Sequence, residues 1–262
     1  MIDIHCHLIF GVDDGSRNLD ESLKMVDMYL QSGFNGAILT SHYYRNKFIV
    51  DKSMVNAGLE KLREELDNRG IDFSIYPGNE VMVDDKILKD YDNDKISTLN
   101  NSKYILIEFP MFSKPLFAKD LIYGLQLRGL MPILAHPERY SYVQEDENFL
   151  LDFIKSGVLM QMNMESISCG GDIEKTVKKL LSRNMIHIIG TDSHRSDWRN
   201  PILNNEVKIL KDLLGEDRFD LLACANPNRI INNKFISSNF EDIIFLDVKP
   251  EKKWYEFWKL RG

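Results

Sequence analysis

Short apolar runs recur along the chain at residues 2–7 (IDIHCH), 36–42 (GAILTSH), 72–77 (DFSIYP), 104–109 (YILIEF), 131–136 (MPILAH), 158–163 (VLMQMN) and 186–191 (IHIIGT). Each is rich in branched or aromatic residues, the composition of buried parallel strands. Helical periodicity fills the gaps. Asn18 and Glu21 stand as an N-cap and its partner three residues on. Leu23, Val26 and Leu30 then mark one face, and Gly33 supplies a C-cap. Leu59, Leu62 and Leu66 repeat the pattern before Gly70, and helices near 117–128, 147–156 and 172–183 end at Gly129, Gly157 and Asn184. Seven strand–helix alternations predict a parallel sheet with crossover helices. Closed on itself, that sheet is a seven-stranded, TIM-like (β/α)7 barrel, whose chemistry belongs at the C-terminal ends of the strands.

Polar residues fall at those ends. His5 and His7 close the first run, His42 the second, Glu108 the fourth and His136 the fifth, while Glu80 follows the third and Asp192 and His194 follow the seventh. Side chains alternate along a strand, so His5 and His7 share one face and Cys6 takes the other. Carboxylates and imidazoles gathered at one mouth are costly to bury without cations. Nitrogen and carboxylate oxygen without thiolate suit Mn, Fe or Zn better than Ca or Mg, and so many donors imply two or three ions. An isolated H-x-H or buried Glu says little; the signal is that five of the six histidines fall at the same end of successive strands. His187, at the start of the seventh run and five residues before Asp192, falls on the opposite face and reads as structural. Arg139 and Arg199 lie three and five residues after His136 and His194, and their planar guanidinium groups match phosphate oxygens. Asn163 ends the sixth run.

Composition excludes several classes. The 262 residues carry 33 Lys+Arg against 40 Asp+Glu, a net charge of −7, which disfavours a nucleic-acid partner. Three cysteines without paired spacing suggest no disulfide framework. No signal peptide or membrane-length apolar run is evident, and a cytoplasmic location is expected. A cysteine phosphatase needs Arg six residues after its Cys; Val12, Lys175 and Ile230 occupy those places.

With these residues in hand, the chain resembles the PHP superfamily, named for polymerase and histidinol phosphatase. Within it the chain is most similar to bacterial manganese-dependent protein-tyrosine phosphatases of capsule and exopolysaccharide loci. The matching segments are IDIHCH, GVDDGS, TSHYYR, GNEV, TLNNSKYILIEF, AHPERY, GTDSH and ANPNRI, across roughly residues 1–232. The resemblance implies a distorted seven-stranded barrel over residues 1–234 with a C-terminal extension, 235–262, that has no counterpart. It implies three metals: one on His5, His7, Glu80 and Asp192, a second on Glu80, Glu108 and His136, and a third on Asp14, His42 and His194. Asp14 is chosen over Asp13 on the family's DG pattern alone. Arg139 and Arg199 would bind phosphate and act in catalysis. The substrate implied is phosphotyrosine on a membrane-associated bacterial tyrosine kinase.

Aromatics near strand ends, Phe10, Tyr43, Tyr44, Phe112 and Tyr140, are candidates to pack on the phenol ring, Tyr43 and Tyr140 foremost. Competing readings are a histidinol-phosphate or other small phosphomonoester phosphatase, an amidohydrolase-class enzyme, a polymerase-associated nuclease, and a non-catalytic metal-binding regulatory module. The amidohydrolase class expects a bridging Lys where Glu108 stands. The tail 249–262 (KPEKKWYEFWKLRG) gathers five basic and two acidic residues with four aromatics. It suits either peripheral membrane contact or packing against the barrel wall.

Overall fold

The computed structural model describes residues 1–244, so the tail 249–262 lies outside the described residues. Ten strands are present: β1 (Ile2–Cys6), β2 (Gly36–Leu39), β3 (His42–Tyr44), β4 (Phe48–Ile49), β5 (Ser74–Pro77), β6 (Glu80–Met82), β7 (Tyr104–Glu108), β8 (Met131–Ala135), β9 (Leu159–Asn163) and β10 (Ile188–Gly190). They form a three-stranded sheet, β1-β2-β5, and a seven-stranded sheet, β10-β9-β8-β7-β6-β3-β4. Every pairing is parallel except the β3–β4 hairpin. The chain is an α/β fold with parallel sheets.

One of the expected strands is broken, and two strands, β4 and β6, are unexpected. The run 36–42 splits into β2 and β3, and Glu80 opens the additional strand β6 three residues after β5 ends. Asn79 sits at both gaps. Its amide nitrogen donates to Ser41 O and Val50 O, each at 2.9 Å, and its oxygen accepts from Ser97 N at 2.8 Å. These bonds satisfy backbone groups that a continuous ladder would have used. Between β10 and β1, Asp192 N donates to His5 O at 2.7 Å and His7 N to Ser193 O at 2.9 Å. Those two bonds join the far edges of the two sheets.

The helices begin and end where their caps are encoded. Asn18 accepts from Glu21 N to start Leu19–Gln31, and Asp51 accepts from Ser53 N and Met54 N to start Lys52–Arg69. Gly33, Gly70, Gly129, Gly157 and Asn184 all have positive φ, so five helices stop at a left-handed residue before the next strand. The segment read as one helix near 147–156 is a 3-10 turn, Glu147–Leu150, continued by a helix, Leu151–Lys155.

Two layers of core result. Ile4, Ile38, Leu106, Ile133, Leu159 and Ile188, one from each of six strands, meet in one buried cluster. A larger cluster packs the opposite strand faces, including Ile105, Ile107, Leu134 and Met160, against helical residues such as Leu62, Leu125 and Leu180. Strands buried on both faces explain the near-continuous apolar runs. The described part of the extension, residues 235–244, packs on this body: Ile236 and Ile243 are buried, and Arg183 O accepts from Ile244 N at 3.1 Å.

Candidate metal centre

Burial of every expected acid and imidazole at one end of the strands leaves an electrostatic problem that the protein atoms do not solve. His5, His7, Glu80, Glu108, His136, Asp192 and His194 are all buried; Asp14 and His42 are partly so. His5 Nε2 lies 3.3 Å from Glu80 Oε2 and 3.4 Å from Asp192 Oδ1. His7 Nε2 lies 3.4 Å from each of the same two oxygens. His5 Nε2, His7 Nε2, Asp192 Oδ1, Asp14 Oδ1 and His42 Nδ1 have no hydrogen-bond partner despite their burial. Bonds of about 2.0–2.1 Å to a central cation place tetrahedral ligands roughly 3.3–3.4 Å apart. The four nitrogen–oxygen distances of the first set have that spacing, and its four atoms lie within 4.8 Å of one another, so the cluster fits a metal ion.

Two further sets share its edges. His7, Asp14, His42 and His194 come together, with Asp14 Oδ1 3.3 Å from His42 Nε2 and 3.7 Å from His194 Nε2. His42, Glu80 and Glu108 form the third. His136 Nε2 lies 2.9 Å from Glu80 Oε1 and 3.7 Å from Glu108 Oε1, so it stands beside that third set. The sets differ from those expected in two ways: His7 joins Asp14, His42 and His194, and His42 takes the place beside Glu80 and Glu108 that was expected for His136.

The surroundings hold His136 and His194 ready to donate lone pairs, whereas at His7 burial is outweighed by the Asp13 and Glu80 carboxylates, which raise it to about 9. Burial drives His136 down to about 3. Burial, with the neighbouring His7, drives His194 down to about 2. Burial also works against the Glu80 carboxylate, but His5 and His42 outweigh it and hold the carboxyl well below the usual range. Burial and the charge of Glu80 push Glu108 well above it. Carboxylates this close repel unless a cation stands between them.

An outer ring fixes the inner one. Asp13 Oδ2 accepts from His7 Nδ1 and from His42 N, both at 3.0 Å, and Asp13 Oδ1 accepts from Gly15 N at 3.0 Å. Asp13 is thereby occupied, whereas Asp14 Oδ1 faces the cluster bare. On the far side, Asp192 Oδ2 accepts from Asn163 Nδ2 at 2.8 Å and Arg139 Nη1 at 3.0 Å, and Arg199 Nη2 reaches the same oxygen. His136, Asp192 and Arg199 all have positive φ, an unusual conformation for such residues. It is maintained by bonds such as His194 N to Arg199 O at 3.0 Å.

A cleft of about 640 Å³ opens over the cluster. Glu80, Glu108, Arg139, Asp192 and Arg199 line it, with the apolar Met111, Phe112 and Trp198 at its walls.

The family described as "Capsular polysaccharide synthesis, CpsB/CapC" matches residues 1–232. The chain belongs to the CpsB/CapC family. Among relatives, it is 28% identical over 238 residues to the tyrosine-protein phosphatase YwqE of Bacillus subtilis, covering 90% of this chain and 93% of that one. It is 29% identical over 243 residues to the tyrosine-protein phosphatase CpsB of Streptococcus agalactiae, covering 90% of this chain and all of the relative. A crystal structure from work on YwqE and the CpsB of Streptococcus pneumoniae, described there as "unique metal-dependent tyrosine phosphatases", superposes with a TM-score of 0.86 at 28% identity. That match covers 90% of this chain and 96% of the other.

Within this CpsB/CapC member, some sequence-level expectations need correction. Tyr43 and Tyr140 are buried and do not line the cleft. Tyr43 Oη donates to Asp90 at 2.9 Å. Tyr140 Oη donates to Ala135 O at 2.8 Å and accepts from Phe109 N at 3.0 Å. Both phenols are therefore structural anchors. Tyr44 and Phe112 do reach the cleft. His187 stands away from the cluster, its Nδ1 accepting from Met160 N at 2.9 Å and its Nε2 donating to Ser238 O at 2.6 Å. The three cysteines are free. Among the described residues no helix is long and apolar enough to cross a membrane.

Sequence reading missed Gln161, whose Oε1 lies 2.9 Å from His5 Nδ1, and Trp198, whose ring centroid is 5.2 Å from that of His194. A polar residue inside the apolar run VLMQMN was the available signal for Gln161. Trp198 lies in a loop with no periodicity to mark its direction.

Proposed function

We propose that this chain is a metal-dependent protein-tyrosine phosphatase of capsular or exopolysaccharide synthesis, using two or three ions, manganese foremost. The observation that carries the reading is the set of buried, unpartnered ring nitrogens and carboxylate oxygens spaced for a cation, under a cleft that also presents two guanidinium groups. We assign His5, His7, Glu80 and Asp192 to one ion, and Asp14, His42 and His194, with His7, to another. Glu80 and Glu108, with His42 and His136 beside them, hold the third. The strand circuit that hosts them reads as a distorted seven-stranded barrel, with 1–234 the catalytic body and 235–262 an extension.

Ions clustered beneath a phosphate neutralise its oxygens and supply an activated water. The chain's own residues do the rest. Arg139 and Arg199 converge beside Asp192 and would bind the non-bridging phosphate oxygens, stabilising charge as the phosphorus–oxygen bond breaks. The metal-facing oxygen of Asp192 stays free because its other oxygen carries those guanidinium groups and Asn163. A phenol leaves with a pKa near ~10, so strong general acid catalysis is not required. We place the enzyme in the cytoplasm, with a membrane-associated tyrosine kinase as substrate and the basic, aromatic segment 249–262 suited to peripheral membrane contact.

The deciding experiment pairs elemental analysis of the purified chain with turnover of a phosphotyrosine peptide under Mn, Fe, Zn and Mg. Bound metal and metal-dependent release of phosphate are expected. Equal or better turnover of histidinol phosphate or of a phosphoserine peptide would overturn the substrate assignment, and a metal-free, fully active protein would overturn the site.

A further inference from the structure

We propose that Trp198, with Phe112 in the same cleft, is the surface that recognises the phenol ring of the substrate and so discriminates aryl from alkyl phosphates. This rests on the phosphatase reading above and adds to it the residues that set leaving-group specificity.

Trp198 is 48% exposed and Phe112 88% exposed, and both line the cleft above the cluster. Exposed aromatics are usually free to move, but Trp198 is fixed. Its ring meets His194 edge to face at 5.2 Å and 72°. The guanidinium groups of Arg199 and Arg195 lie over it at 5.3 and 5.6 Å. Its backbone oxygen accepts from Arg195 N at 3.1 Å, and Arg195 Nε donates to Asp14 O at 3.1 Å. The loop bearing Trp198 is thus tied to the loop bearing Asp14, and Arg17 Nη2 adds a bond to Asp197 at 2.8 Å. A large apolar face is held rigidly in water directly beside a cluster imidazole and a phosphate-binding guanidinium. Rigid aromatic surface supplies binding area at little entropic cost on association.

Geometry makes this face selective. Trp198 and Phe112 line the same cleft as Arg139 and Arg199, so a phosphate held by those guanidinium groups would carry its ester substituent against that lining. A phenyl ring fills that space and offers an edge or face to the indole, an arrangement worth more than its buried area alone. An alkyl chain of the phosphoserine type leaves much of the indole in water. Of the aromatics expected to do this from sequence, Tyr43 and Tyr140 are packed elsewhere, whereas Phe112 and Tyr44 line the cleft.

The test uses the metal-loaded full chain and compares wild type with Trp198→Ala, Trp198→Phe and Phe112→Ala. Metal content and circular dichroism are recorded for each. The quantity read is the ratio of kcat/KM for phenyl phosphate to that for glycerol 2-phosphate. Trp198→Ala is expected to lower that ratio by roughly 5- to 10-fold, and Trp198→Phe to restore most of it. A parallel calorimetric series with phenylphosphonate and methylphosphonate reads ring recognition without turnover, and the same loss of preference is expected. An unchanged ratio, or equal losses on both substrates, overturns the proposal. A wild type that hydrolyses no phosphomonoester overturns the phosphatase reading instead, and the phosphonate series then still decides whether Trp198 binds the ring.

Discussion

His5 donates through Nδ1 to Oε1 of Gln161 at 2.9 Å, and this bond fixes which nitrogen of the imidazole is free. The orientation of the amide is set independently, because Gln161 Nε2 donates to Met162 O at 2.7 Å and Asn163 Oδ1 at 3.0 Å. Its oxygen must therefore face His5, and His5 Nε2 presents a lone pair to the space between Glu80 and Asp192. Gln161→Ala is expected to weaken metal binding about 10- to 100-fold while leaving the fold intact. Metal titration followed by calorimetry checks this; unchanged affinity would mean that the tautomer is fixed by other groups.

Substitution at the inner ring has a larger expected effect. His5→Ala, Glu80→Ala, His136→Ala and Asp192→Ala should each lower bound metal, whereas His187→Gln should retain it. Elemental analysis of the five proteins is the measurement. Full occupancy in all four alanine variants would remove the basis for the ligand assignment.

Metal binding should also stabilise the fold, because ions that bind only the folded cluster shift unfolding by mass action. Adding manganese to chelator-treated protein should raise Tm in a saturable way, equivalent to about 2.7 kcal/mol at one hundred times the dissociation constant. Asp192→Ala should flatten that response. A wild-type Tm indifferent to chelator and metal would contradict it.

Arg139 acts on the substrate side. Arg139→Ala is expected to reduce turnover of a phosphotyrosine peptide by about 100- to 1000-fold, with metal content near wild type. Because Arg139 also holds Asp192 Oδ2, a parallel loss of metal would assign it a supporting role.

Gly15 is required by space. A Cβ there would lie 2.3 Å from His7 O and 2.4 Å from His7 Cβ, so the loop bearing Asp13 and Asp14 can press against β1 only without a side chain. Gly15→Ala should cost roughly 1–3 kcal/mol in urea denaturation and reduce metal occupancy. Wild-type values for both would show that the loop can yield.

The strands, the helix caps and most of the cluster were legible in the chain because each is a local pattern. Asn18 and Asp51 cap helices by bonding backbone groups two or three residues away. The H-x-H of His5 and His7 declares a shared face through the period of two. That same period puts Tyr43 on the face opposite His42, away from the cleft. Asp13 and Asp14 are neighbours of identical chemistry, and only the tertiary structure separates them. It does so through the groups that Asp13 meets at His7 and His42, which leave Asp14 to face the cluster. Gln161 and Trp198 likewise owe their positions to strands and loops distant in sequence. Local hydrogen bonding and periodicity are encoded within a few residues. Which side chains converge on one point depends on the closing bonds between β10 and β1, formed by residues more than 180 positions apart.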